Sequence, residues 1–253
     1  MSRLISIDTS TEAFSVALYN QGEVLEEFAV APREHARRLL PAVESLLANA
    51  QLSLSQLDGM VCTVGPGAFT GIRIGVSVAQ GLAEGADLPV IPVSSLANMA
   101  QQVILEQAAE MVFTAIDARM QEVYFAVYQA DENSLPRIYH DEVVISPQQI
   151  DIKELLSKIY LQQQSTTTAT LYTIGSGWQS YAELFDRHDL TIGHLNQDKV
   201  TFAWAPAKSN FPKASASFPL ALEALKQQNE LVAEQLQPVY LRNNVAIKKS
   251  VEK

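Results

Sequence analysis

The apolar positions resolve first into short strands. Leu4, Ile5 and Ile7 give a buried strand over 3–8 that runs into Asp8-Thr9-Ser10-Thr11. Over 13–19, Phe14, Val16 and Leu18 alternate with Ser15 and Ala17, and a third strand follows the Gln21-Gly22 turn at 23–30. These three predict an antiparallel meander. The period then changes: Ala36, Leu39, Leu40, Val43, Leu46, Leu47 and Ala50 recur at helical spacing over 35–50. Asp58 to Val64 is a short apolar strand leading into Gly65-Pro66-Gly67-Ala68-Phe69-Thr70-Gly71. The helix predicted over about 72–86 is rich in small residues. Gly71, Gly75, Ala79 and Ala83 recur every fourth position on one face, and Ser77, Gly81 and Gly85 on another. Both stripes allow a helix or sheet to approach the backbone closely. Val90 to Val93 reads as a strand, with Ser94 or Ser95 capping a helix that ends near 108.

The opening pattern then recurs. Ser6-Ile7-Asp8 is followed by Glu12, Phe14, Val16 and Tyr19, and Ala115-Ile116-Asp117 by Glu122, Tyr124, Val127 and Tyr128. The two aspartates lie 109 positions apart, each at a strand end before a turn and a return strand. A third strand follows in each copy, near 23–30 and 137–145. The repeat predicts two related halves, 1–108 and 109–253, in an α/β fold. The second half becomes less regular. Residues 147–159 read as helix after Pro147, 162–170 is low-complexity, and Leu171 to Ile174 is a strand ending in Gly175-Ser176-Gly177. Further helices are predicted over about 179–187 and 215–228, and the chain closes with Pro238-Val239-Tyr240-Leu241-Arg242.

Composition narrows the function classes. The 253 residues include 18 Lys and Arg against 28 Asp and Glu, a net charge of −10. That balance argues against autonomous nucleic-acid binding, which needs clustered cations to neutralise phosphates. The acidic Asp8 interrupts the N-terminus before an apolar signal region, and no stretch of about 18 apolar residues occurs. With a single cysteine, Cys62, unable to make an internal disulfide, these features predict a soluble cytoplasmic protein.

Candidate chemistry is sparse. Asp8 with Ser10 and Thr11, and Asp117 in the second copy, sit where hydroxyls and amides can surround a phosphate while a carboxylate holds hydrated magnesium. The same residue types also satisfy an ordinary tight turn. Gly65 to Gly75 allows a phosphate loop at a helix N-terminus or a sharp, closely packed strand-to-helix turn, but its spacing matches neither the dinucleotide fingerprint nor a Walker motif. Arg73 offers a fork to a phosphate, or to a carboxylate of the ligand or of a partner. His35, His140, His188 and His194 show no metal-ligand spacing, Gly175-Ser176-Gly177 is not a nucleophile elbow, and Cys62 lies within an apolar strand.

Together, Ile7-Asp8-Thr9-Ser10-Thr11, Gly65 to Gly75, Asp117-Ala118-Arg119 with Glu122-Val123-Tyr124, and Pro238 to Arg242 resemble the TsaB (YeaZ) family over most of the chain. The resemblance implies an actin/sugar-kinase/heat-shock-ATPase-like duplicated fold, two halves with mixed sheets flanked by helices. It also implies a part in making threonylcarbamoyladenosine beside the anticodon of tRNAs that read codons beginning with A. In that pathway TsaC makes threonylcarbamoyl-adenylate and TsaD transfers the group, with TsaB and the ATPase TsaE as required partners. The metal-binding TsaD carries histidines on the helix after a Pro-Val dipeptide. Here Pro92-Val93 is followed by Ser94-Ser95-Leu96-Ala97-Asn98-Met99, with no histidine.

The expectation is therefore a non-catalytic scaffold or activator with no cofactor of its own, ATP and magnesium being confined to the partner interface. It pairs with TsaD and TsaE, or with a second copy through the same helices, and meets tRNA only indirectly. Leu39, Leu40, Val43, Leu47, Arg73, Val76, Ala79 and Ala83 are the expected contacts, and Ala79→Arg is expected to block docking while leaving the fold intact. The alternative is a nucleotide-binding ATPase or phosphotransferase using Asp8, Ser10, Thr11 and Asp117. A glycoprotease, the label once attached to related sequences, has no metal triad or nucleophile pair to support it.

Overall fold

The computed structural model describes residues 2–162, 168–183, 190–193 and 199–242. Strands β1 (Arg3–Asp8), β2 (Ala13–Asn20) and β3 (Glu23–Val30) form the expected meander, with Ile5 opposite Leu18 and Ile7 opposite Val16. β4 (Gly59–Gly65) adds parallel to β1, and β5 (Val90–Ser94) parallel to β4, in the order β3-β2-β1-β4-β5. Helices α1 (His35–Asn49) and α2 (Phe69–Ala86) cover one face of this sheet. α2 begins three residues before the predicted start, at the point where the Ala68 amide is held by the Ser10 carbonyl.

The second half repeats the plan. β6 (Met111–Arg119), β7 (Glu122–Ala130) and β8 (Pro136–Ile145) form a second meander. After α4 (Ile152–Gln162), β9 (Thr168–Ile174) joins parallel to β6. A one-turn α5 (Gly177–Ser180) leads to β10 (Leu190–Gly193) and β11 (Lys199–Pro206). The order β10-β11-β9-β6-β7-β8 contains the first sheet's pattern plus β10 as an antiparallel edge. No element was expected over 190–206. Of the helix expected over 179–187, the described part is α5, which ends at Ser180 where Tyr181 leaves helical geometry (φ −129°, ψ 35°), and 184–187 lies outside the described residues. The helix expected over 215–228 is a 3-10 turn followed by α6 (Phe218–Lys226). Of the low-complexity stretch, 163–167 lies outside the described residues.

The chain does not keep to the boundary drawn at 108. α3 (Ser95–Gln107) places Leu96, Met99, Ala100, Val103 and Ile104 against Val112, Ile116, Ala126 and Ile174 of the second sheet. In exchange Ala214, Phe218 and Ala221 return to cover Leu4, Ala17, Val61 and Ile91 of the first. Beyond them Leu231 bridges to Val90, and Ala233 and Leu236 join the core under α1 and α2.

That core corrects the expected contact set. Leu39, Val43, Leu47, Val76, Ala79 and Ala83 are 0 to 8% exposed and packed with Ile5, Ile7, Phe14 and Val16. Their apolar stripes are spent on the chain's own sheet, leaving no surface for a partner. Only Leu40 and Arg73 of the eight are exposed. Ala79→Arg would bury an unpaired charge and unfold the chain, so it cannot test docking. Among the described residues no helix is long and apolar enough to cross a membrane.

Candidate functional site

A cleft of about 850 Å³ opens between the halves. Ser10, Thr11 and Phe69 line one wall, and Asp117, Tyr124 and Ser176 the other. Asp8, at the end of β1, is not among the lining residues. It is 1% exposed, and its carboxylate accepts from the Ser10 amide (2.9 Å), the Ser10 hydroxyl (2.7 Å) and Asn98 Nδ2 (2.9 Å). The Asp8 carboxylate closes the turn and is shut off from solvent, the arrangement of the tight-turn reading. Thr11 accepts from the Ala13 amide, so its hydroxyl is likewise part of the turn. Asp117 does face the cleft. It accepts from the Arg119 amide (2.8 Å) and Tyr181 hydroxyl (2.9 Å) and pairs with the Arg119 guanidinium (3.0 Å).

The turn decides the reading of the glycine-rich segment. Thr9 Oγ1 donates to the Gly71 carbonyl at 2.8 Å, and a Cβ at Gly71 would stand 2.1 Å from the Thr9 carbonyl oxygen. One turn further on, a Cβ at Gly75 would stand 2.4 Å from Thr9 Oγ1. The space these glycines leave is filled by the β1–β2 turn, not left open for phosphate. Cys62, on the neighbouring strand, is buried; burial and the Asp8 carboxylate push its thiol well above the usual range, leaving it un-ionised and inert.

Burial also holds the Asp8 carboxyl above the ordinary carboxylate range, although the Ser10 and Asn98 hydrogen bonds act the other way. A carboxyl raised on folding contributes stability that is fully present below its unfolded value and is lost as pH rises through its folded value. The stability of wild type less that of Asp8→Asn is therefore expected to fall as pH rises from about 4, at up to roughly 1.4 kcal/mol per pH unit. Urea titrations at stepped pH measure this, and a difference that grows with pH would contradict it.

The segment 239–242 straps the cleft mouth. The Val239 amide donates to the Val64 carbonyl at 2.8 Å. Tyr240 accepts from Arg73 Nε at 2.8 Å, and the Arg73 guanidinium lies 3.7 Å over the Phe69 ring. Two residues on, Arg242 reaches the other half, pairing with Glu122 and donating to the Arg119 carbonyl. Arg119 in turn spans the mouth to Glu12 at 3.3 Å. Arg73, expected to find a carboxylate or phosphate, thus has an aromatic setting made by Phe69 of its own helix and by Tyr240, 167 positions away. Tyr240→Ala is expected to leave global unfolding nearly unchanged while the Val239 amide exchanges with deuterium about tenfold faster or more. Unaltered exchange would show that the strap is held without Tyr240.

The outer face of α2 differs from its inner one. Ser77, Gly81 and Gly85 are exposed, and a Cβ added at Gly81 or Gly85 meets nothing within 4 Å. Each glycine inside a helix costs about 1 kcal/mol relative to alanine, and nothing in the chain's own packing requires these two. Ile74 and Val78 flank the stripe, half-buried. Glycine at exposed helical positions was the signal for this face, and the larger apolar stripe on the other side outweighed it.

Two β-meander sheets, each extended by parallel strands and facing each other across a cleft, place this protein in the actin/sugar-kinase/heat-shock-ATPase class. A family model described as "TsaD: tRNA N6-adenosine threonylcarbamoyltransferase" matches residues 23–250. The "tRNA threonylcarbamoyladenosine biosynthesis protein TsaB" of Escherichia coli is 39% identical over 247 residues, covering 98% of this chain and 97% of the relative. Its namesake in Haemophilus influenzae is 37% identical over 248 residues, covering 97% and 96%. The solved structure "YeaZ from Pseudomonas aeruginosa" superposes with a TM-score of 0.79 at 38% identity, over 95% of this chain and all of that one. The chain belongs to the TsaB (YeaZ) family.

Proposed function

We propose that this chain is a cytoplasmic, non-catalytic subunit in the transfer of a threonylcarbamoyl group to tRNA. It docks on a TsaD-type transferase through the outer face of α2, with TsaE completing the assembly. The observation that carries this reading is the open space over Gly81 and Gly85, which the chain itself leaves unused. A second copy competes for the same face. The helix after Pro92-Val93 supports the non-catalytic role, since it offers Ser94, Ser95 and Asn98 where a metal-dependent transferase needs histidines. Among the described histidines, His35 rests against the Ala13 carbonyl in one half and His140 beside Phe125 in the other. The sealed Asp8 argues against a resident magnesium nucleotide, so any ATP belongs at the partner interface.

Reconstitution with purified TsaC, TsaD, TsaE, threonine, bicarbonate, ATP and tRNA tests the role directly. Modified tRNA is expected only when this chain is present, and none when it replaces TsaD. Modification in its absence, or transfer by this chain alone, would overturn the reading.

A further inference from the structure

Sheet edges expose unpaired amides and carbonyls, and chains ordinarily guard them. Three of the four described edges are guarded. On β5 the Val90 and Leu231 amides each donate to the other's carbonyl at 2.8 Å, and Pro92 has no N–H to offer. β8 begins with Pro136 and shifts register twice against β7, while β10 spans only four residues. β3 has none of these devices. It runs eight residues in unbroken register with β2, without Lys or Pro. Val24, Leu25, Phe28 and Val30 along it are 37 to 54% exposed. The turn before β3 sets which of its backbone groups are free. Gln21 and Gly22 both have positive φ (55° and 108°), as a two-residue hairpin turn requires, so Asn20 and Glu23 form the hydrogen-bonded pair beside it. Alternation from that pair turns Leu25, Glu27 and Ala29 toward β2. The amides and carbonyls of Val24, Glu26, Phe28 and Val30 point off the edge.

We propose that β3 pairs antiparallel with β3 of a second copy, joining their first sheets into one. A strand turned about a two-fold axis offers the same free groups in reverse order, so this edge is its own complement. Val24 then lies opposite Val30 of the second copy and Glu26 opposite Phe28, and the four such pairs exchange about eight hydrogen bonds. Charge selects this occupant and this direction. The Glu26 carboxylate is taken up by the Ser15 hydroxyl (2.9 Å) and the Ser215 amide (3.0 Å), and Glu27 by Arg38 (3.1 Å). Two exposed charges remain: Glu23 at the start of the strand and Arg33 just past its end. Neither is in an ion pair among the described residues. Antiparallel pairing sets start against end and brings each Glu23 toward the other copy's Arg33, whereas parallel pairing sets like against like. The edge lies away from α2, which packs over β4 and β1. The inference therefore stands apart from the docking reading and leaves that face free in both copies.

Analytical ultracentrifugation of the full chain from about 1 to about 100 µM tests the pairing. Gly81→Trp serves as the parent, so that self-association through α2 does not contribute. The parent is expected to form dimers as concentration rises. Phe28→Pro removes an outward N–H while leaving the bonds to β2 in place, and is expected to weaken the dimer at least about tenfold. Glu23→Lys and Arg33→Glu, both at exposed positions that spare the core, are each expected to weaken it severalfold at low salt. Combined in one chain, the two reversals restore opposite charges across the edge and are expected to recover the parent's affinity. A parent that stays monomeric at every concentration overturns the proposal, as does a Phe28→Pro chain that dimerises like its parent. Single reversals that lose nothing, or a double reversal that recovers nothing, overturn it as well. No partner protein enters these measurements, so their failure leaves the docking reading where it stands.

Discussion

Tryptophan at Gly81 is expected to abolish binding of a TsaD-type partner while leaving the free chain folded. Gly81 is exposed on α2 and a Cβ there meets no atom within 4 Å, so an indole projects into solvent without disturbing the core. A partner helix that needs the α2 backbone at close range is then held off by the width of a ring. Loss of that contact is expected to weaken the complex at least about a hundredfold, or roughly 2.8 kcal/mol. Gly81→Ala gives the contrasting result. In the free chain it is expected to raise stability by up to about 1 kcal/mol through helix propensity alone, while costing affinity. Calorimetry of the complex and urea unfolding of the free chain measure the two effects separately. A Gly81→Trp chain that binds with wild-type affinity would remove this face from consideration.

On the opposite side of the same helix, Gly71→Ala is expected to destabilise the fold by about 3 kcal/mol or more. The added methyl would stand 2.1 Å from the Thr9 carbonyl oxygen, and neither atom can move without the backbone that carries it. Relief requires α2 to lift from the β1–β2 turn. That movement strains the hydrogen bonds from Thr9 Oγ1 to the Gly71 carbonyl and from the Ala68 amide to the Ser10 carbonyl. For a chain of this length the loss corresponds to a fall of roughly 6–12 °C in melting temperature, readable by calorimetric unfolding. Gly85→Ala, in open space, provides the matched control and is expected to melt no lower than wild type. Equal melting of the two variants would mean that the turn yields more easily than its packing implies.

These two glycines also show what was legible in the chain and what was not. Alternation and short apolar runs located β1 to β5, helical spacing located α1 and α2, and the recurrence located the start of the second half at β6, because each of these patterns is local. The same patterns mark which side of a helix is apolar without revealing what covers it. Val76, Ala79 and Ala83 carried that signal, and the first sheet covers them. The surface left for docking is the side a hydrophobic pattern passes over. The two readings open for Asp8 could not be separated for a related reason: its turn is closed by Asn98, 90 positions away. The Arg73–Tyr240 contact is longer still in range. In β11, Phe202 and Trp204 alternate as a strand should, but its neighbour β9 lies about thirty residues earlier, beyond α5 and β10.

The exchange of covering layers between the halves has a consequence for synthesis. Leu4, Ala17, Val61 and Ile91 are made well before Ala214, Phe218 and Ala221, which shield them and follow more than a hundred residues later. Until that segment is made the first sheet waits with one greasy face bare, and α3 emerges before the sheet it covers. Neither half can mature by itself. Severing the chain at 108 would yield two sticky fragments rather than two domains, and completion of the first half is deferred until 214–221 comes home.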